Sequence, residues 1–113
     1  MSKTASLLTN LEYSSEKPTI TVLLETNNTK EIRIAMKNGN LMKKHQTPYP
    51  IVIEIFEGEI NFGVNNEVLV LVKGDIIALD GAVPHDLKAT KDSIVRLTLT
   101  KHDKVERVAK VIS

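Results

Sequence analysis

The chain has 113 residues, of which 42% are apolar and 26% charged, and its formal net charge is +1. This length indicates one domain spanning residues 1–113, and the small net charge argues against nucleic acid or an anionic membrane as a partner. Cysteine is absent, which excludes a disulfide scaffold and thiol catalysis and fits a cytoplasmic protein. No apolar run approaches the roughly 20 residues of a membrane-spanning helix.

Alternating apolar residues predict nine short strands within a core region of about residues 19–100. Ile20, Val22 and Leu24 show the pattern clearly, because successive side chains of a strand point to opposite faces. Turn residues, such as the asparagines at 65 and 66, separate the runs. The predicted strands are 19–25, 31–37, 41–45, 51–56, 60–64, 67–72, 76–79, 85–89 and 93–100. This series, with no long helix between strands, predicts an all-β sandwich or barrel.

The end of the chain changes its period. Apolar residues recur at helical spacing at Val105, Val108, Ala109 and Ile112. The sequence therefore predicts a short amphipathic helix over residues 104–112, lying on the barrel.

Two glycine-led segments each supply one histidine. In the first, Gly39 is followed after five residues by His45-Gln46-Thr47, after three more by Ile51, and after six more by Gly58. In the second, Gly74 is followed after five residues by Asp80-Gly81-Ala82, then by His85 and Ala89. This spacing resembles the two signature motifs of the cupins. The resemblance implies an antiparallel jelly-roll (cupin) barrel, with the short helix at the C-terminal end.

Cupins hold a metal with three histidines and one glutamate. Carried over by position, the resemblance places these ligands at His45, Thr47, Ile51 and His85. Only the two histidines are ordinary ligands, since threonine is a poor one and isoleucine cannot ligate. The resemblance thus implies an incomplete metal site at His45 and His85. Such a site predicts either no cofactor or a weakly bound divalent metal such as Zn, Mn, Fe or Ni.

The second motif departs from the family pattern as well. Asp80 and Ala82 stand where the motif has proline and glycine, so the loop must turn by other means. We expect Gly81 to supply the conformational freedom.

Three functions compete. The first is a small-molecule binding barrel, whose pocket contains His45, Thr47, Tyr49, Ile51 and His85 around an apolar wall. The second is a metal-dependent cupin enzyme, of the dioxygenase or isomerase type, with His45 and His85 as ligands. The third is an interaction module whose barrel serves as a dimeric scaffold. We favour the first, because the metal ligands are incomplete. Tyr49 is as compatible with simple packing at the barrel mouth.

We also expect His45 and His85 to face each other across the interior. Burial should keep both imidazoles neutral near pH 7, so that they serve a polar ligand as hydrogen-bond donor and acceptor.

The oligomeric state is predicted to be a homodimer. Residues 68–72 are apolar on both faces of their strand, which predicts that both are covered. Residues 19–25 have no obvious partner strand within one small barrel. The core is predicted to contain Ile32, Ile34, Ile51, Ile53, Ile55 and Leu97.

Overall fold

The computed structural model describes residues 2–101, which form nine β-strands. The strands are β1 Thr19–Glu25, β2 Thr29–Met36, β3 Leu41–His45, β4 Ile51–Glu57, β5 Glu59–Val64, β6 Glu67–Val72, β7 Ile76–Leu79, β8 His85–Ala89 and β9 Ser93–Thr100. Every predicted strand is present, and six of the nine have the predicted bounds. The predicted helix over 104–112 lies outside the described residues.

The strands form two antiparallel sheets, which fit a jelly roll. Sheet A has the order β1-β2-β9-β4-β7, and sheet B has the order β3-β8-β5-β6. Among residues 2–101 no strand ladder joins one sheet to the other. The two sheets enclose the core between them.

Branched and aromatic side chains from both sheets fill the interior. All six residues predicted to point inward are buried, with none more than 5% exposed, which confirms the predicted core. Sheet B adds Phe62 and Ile60, both completely buried. Alternation explains this outcome, since the residues between them in the strands face the outer surfaces.

Two arguments for a dimer are changed by the structure. Strand β1 does have a partner in its own chain, because it pairs antiparallel with β2. Strand β6 does not have both faces covered: Val68, Val70 and Val72 remain exposed.

The N-terminal segment lies on the outer face of sheet A, held by a buried arginine. Arg33, only 4% exposed, donates from Nη1 to the carbonyl oxygens of Leu7 (3.2 Å) and Thr9 (2.9 Å). Its Nη2 donates to the carbonyl oxygen of Asn10 at 3.3 Å. Hydrogen bonds from a charged donor are stronger than neutral ones, so this one side chain anchors a segment that has no regular structure.

Candidate functional site

A β-bulge in β3 directs His45 into the interior. Met42 pairs with Leu87 and His45 pairs with His85, so two residues of β3, Lys43 and Lys44, oppose the single residue of β8 between these pairs. Without the bulge, strict alternation from the buried Met42 would turn His45 outward. The extra residue reverses the parity of the strand, and the imidazole then faces the core.

The two histidines meet as predicted, but as neighbours on adjacent strands rather than from opposite walls. Their ring centroids lie 4.3 Å apart with the planes tilted by 58°. Phe62 stacks on the other side of His85, with ring centroids 5.7 Å apart and planes within 10°. The pairing of β3 with β8 thus sets the position of the two histidines, and the ring of Phe62 packs against His85.

Backbone carbonyl groups fix the tautomer of both imidazoles. Nδ1 of His45 lies 2.7 Å from the carbonyl oxygen of Lys43, and Nδ1 of His85 lies 2.9 Å from that of Val83. A carbonyl oxygen only accepts, so Nδ1 carries the proton in each ring. Each neutral ring then presents an Nε2 lone pair. The expectation of one donor and one acceptor is therefore replaced by two acceptors.

Burial keeps both rings neutral. Desolvation lowers the pKa of His45 below its ordinary value of 6.5, opposed by the hydrogen bond to Lys43 and the charge of Asp86. Desolvation also lowers the pKa of His85, opposed by its hydrogen bond to Val83, and the neighbouring His45 lowers it further. The neutral form that was predicted near pH 7 agrees with these directions.

These pKa shifts predict a loss of stability in mild acid. The unfolded chain, with ordinary histidine pKa values, binds protons at a higher pH than the folded chain. The contribution to the free energy of unfolding is therefore complete above about pH 6.5 and is lost as the pH falls through the lowered pKa values. Urea unfolding between pH 7.5 and 5 measures the decline. The double variant His45→Gln with His85→Gln should decline less, and an equal slope would contradict the assignment.

A small cavity lies beside the histidine pair. Its volume is about 20 Å³, close to the space needed by one water molecule. It is lined by Ile34, Met42, His45, Thr47, Ile51, Ile53, His85, Leu87, Leu97 and Leu99. Met42, Leu87 and Leu99 were not predicted to belong to the site, although alternation along their strands could have placed all three on the inner face.

The other predicted site residues divide into two groups. Thr47 and Ile51 are buried and line the cavity with the histidines. The Thr47 hydroxyl donates to the carbonyl oxygen of Tyr49 at 2.9 Å, which fixes its direction. Tyr49 itself is 38% exposed and lies outside the cavity lining.

The two loops at this end of the sheets are joined to each other. The amide of Ala82 donates to the carbonyl oxygen of Thr47 at 2.6 Å. Ala82 has the positive φ of the turn, 65°, so the prediction that Gly81 supplies this freedom is wrong. Gly81 is needed for a different reason: a Cβ there would collide with the carbonyl oxygen of Pro48.

The residues present do not fit the four-ligand metal centre of cupins. Ile51 offers no donor atom, and the Thr47 hydroxyl is directed at a backbone carbonyl. Among residues 2–101, no group of three or more His, Cys, Asp or Glu side chains could hold a metal ion. Two neutral imidazoles remain, and these are fewer than the three or four protein ligands usual for a divalent first-row ion.

The comparisons support the fold. No family model matches the chain, and no curated protein matches it either. An RmlC-like cupin from Desulfovibrio desulfuricans superposes with a TM-score of 0.80 at 21% identity, covering 88% of this chain and 97% of that one. An RmlC-like cupin from Shewanella frigidimarina superposes with a TM-score of 0.74 at 20% identity, covering 88% of this chain and 91% of that one. A protein with a double-stranded β-helix domain from Klebsiella pneumoniae superposes with a TM-score of 0.76 at 20% identity, covering 88% of this chain and 90% of that one.

The part of the chain that the structure describes contains no helix long and apolar enough to cross a membrane. Identities near 20% establish a shared fold and no more, so the chemistry of the site must be argued from its own side chains.

Proposed function

The chain has the cupin fold, and we propose that it binds a small molecule at the His45–His85 pair, without a metal. The single observation that carries this proposal is that both imidazoles line the cavity while their Nδ1 atoms are bonded to backbone carbonyl oxygens, which leaves each Nε2 as a hydrogen-bond acceptor. Pockets of this kind combine an apolar lining with a few polar groups that fix the orientation of the ligand.

The tautomers select the chemistry of the ligand. Two neutral imidazoles that both accept require a hydrogen-bond donor, such as a hydroxyl or an amino group. A carboxylate offers only acceptor oxygens and would face two lone pairs with no proton between them. The bound group is therefore an O–H or N–H donor.

The size of the cavity limits what enters. A space of about 20 Å³ takes one water-sized group, so only the donor group lies beside the imidazoles. The carbon skeleton extends toward the joined loops, where Thr47 and Ile51 form the wall. Tyr49, more exposed and next in the chain to Pro48, contributes at the mouth.

No observation favours the metal-dependent enzyme. That function requires ligands at the positions of Thr47 and Ile51, and neither residue supplies one. Binding by hydrogen bonds and apolar contact needs only the groups that are present.

Matched probes test the proposal. We expect 1-propanol and propylamine to shift the Nε2 nitrogen resonances of His45 and His85 in long-range ¹H–¹⁵N spectra at pH 7.5, while propionate does not. His45→Phe keeps a ring but removes one acceptor, and it should weaken alcohol binding about fivefold, the worth of one neutral hydrogen bond. Val52→Ala, on the opposite face of β4 from Ile51 and outside the cavity lining, should retain binding. If propionate binds as well as propanol, the proposed ligand chemistry is wrong.

A further inference from the structure

Among residues 2–101 the two sheets have four edge strands, and three of these are protected against pairing with another chain. Strand β1 has a bulge between Val22 and Leu24, and β3 has the bulge at its two lysines. Strand β7 has only four residues. Bulges, edge lysines and short length are the features that natural edge strands use to avoid pairing. Strand β6 has none of these features.

Strand β6 is regular, uncharged between its ends and apolar on its outer face. Its register with β5 is unbroken from Glu67 to Val72. Val68 is 66% exposed, Val70 59% and Val72 43%. The alternate residues, Leu69 and Leu71, pack against the core. An exposed row of valines on an unprotected edge strand is a surface built for a partner strand.

The hydrogen-bond pattern shows which part of the edge is available. In an antiparallel ladder the backbone N–H and C=O groups of successive residues point alternately toward one neighbouring strand and toward the opposite side. The two-residue turn at Asn65 and Asn66 pairs Glu67 with Val64, which directs the backbone groups of Val68 and Val70 to the free edge. The backbone groups of Val72 point the same way, but its amide already donates to Oδ2 of Asp75 at 2.8 Å and is not available to a partner strand.

We propose that β6 pairs antiparallel with β6 of a second copy of this chain, about a twofold axis at Leu69. This register joins Val68 of each copy to Val70 of the other and makes one eight-stranded sheet from two copies of sheet B. The capped Val72 then lies beyond the paired residues, as the hydrogen bonds require.

Charge supports the antiparallel direction. Strand β6 begins with Glu67 and is followed by Lys73, so a twofold pair brings opposite charges near each other on diagonal positions. A parallel pair would align like charges. The twofold contact uses the free edge of both copies, so the assembly closes at two chains and does not extend into a fibre.

The test is self-association by sedimentation equilibrium, from about 1 to 500 μM, the range in which weak strand pairing is resolved. We expect the wild-type chain to form a dimer and Val70→Lys to raise the dissociation constant at least tenfold. Because the side chain of Val70 is exposed, this variant should fold normally, and circular dichroism checks it. Val22→Lys, at a side chain of edge strand β1 that is 40% exposed, is the control and should dimerise normally.

A chemical experiment tests the register directly. The chain contains no cysteine, so Val68→Cys and Val70→Cys each introduce a single thiol, and the proposed register places these two thiols opposite each other. An equimolar mixture should form a disulfide-linked dimer on oxidation, and a mixture of Val68→Cys with Val22→Cys should stay largely unlinked. The proposal is overturned if the wild-type chain is monomeric or if Val70→Lys associates as the wild type does. It is also overturned if deleting residues 102–113 abolishes self-association while Val70→Lys has no effect.

Discussion

Replacing Thr47 with His and Ile51 with Glu is expected to create a zinc site that binds roughly a hundredfold more tightly than the parent protein. Both positions line the cavity that contains His45 and His85. The two existing imidazoles already present Nε2 lone pairs, because backbone carbonyl groups hold their Nδ1 protons. Adding an imidazole and a carboxylate would complete a three-nitrogen, one-oxygen ligand set, and the anionic ligand would offset part of the ion's charge.

The same variant should be less stable without metal. Ile51 is only 4% exposed, so the Ile51→Glu substitution places a carboxyl group in an apolar setting, at a cost of several kcal/mol if it is unpaired. The Thr47 substitution also removes the hydrogen bond to the Tyr49 carbonyl oxygen. Thermal unfolding with EDTA and with zinc should therefore show a low melting temperature that zinc raises, because binding to the folded state adds to its stability.

The control is Val52→Glu, which introduces the same carboxylate one residue further along β4. Val52 points to the opposite face of the strand, so this variant should gain no zinc affinity. Calorimetric titration measures both proteins and the parent. Parent binding tighter than about 1 μM, equivalent to about −8 kcal/mol, would contradict the metal-free proposal and favour the enzyme. No gain in the double variant would mean that the four side chains do not converge.

Replacing Gly58 with Ala is expected to destabilise the protein by about 3 kcal/mol or more, since steric overlap adds to backbone strain there. Gly58 has φ +94°, and an added Cβ would lie 2.5 Å from the carbonyl oxygen of Asp92 and 2.7 Å from Cα of Ser93. Backbone atoms cannot rotate away. Ser93 is fully buried, and its hydroxyl oxygen accepts from the amide of Glu59 at 3.0 Å, so a shift there would disturb the start of β5.

Gly74→Ala is the matched control. Gly74 has the same φ, +94°, but an added Cβ would meet nothing within 4 Å. Only backbone strain remains, and we expect a cost of about 1 kcal/mol. Chemical denaturation of both variants measures the difference, which isolates the effect of close packing. Equal losses of stability would show that φ alone explains the requirement for glycine at both motif positions.

Strand periodicity was sufficient to predict most of the fold. Side-chain alternation depends only on backbone geometry, so the run from Ile51 to Ile55 identified both a strand and its buried face. The resemblance to the two cupin motifs also predicted that His45 and His85 would meet. In the structure they meet because both lie at the ends of short strands that pair with each other.

The features that were missed depend on contacts between distant parts of the chain. The turn strain at Ala82 is tolerated because its amide bonds to Thr47, which periodicity cannot reveal. The tautomers depend on carbonyl groups at Lys43 and Val83, whose directions are set only in the folded loops. The cover over Arg33 comes from a segment without any regular pattern.

The bulge in β3 also sets which changes of length the histidine segment tolerates. Two residues between Met42 and His45 oppose one residue of β8, so the loss of either Lys43 or Lys44 would leave an ordinary ladder with His45 on its present side. The gain of one residue would enlarge the irregularity instead. Natural variants of this segment should therefore be shortened more readily than lengthened. Deleting one of the two lysines is the change we expect to make the wall of the pocket more regular without turning His45 outward.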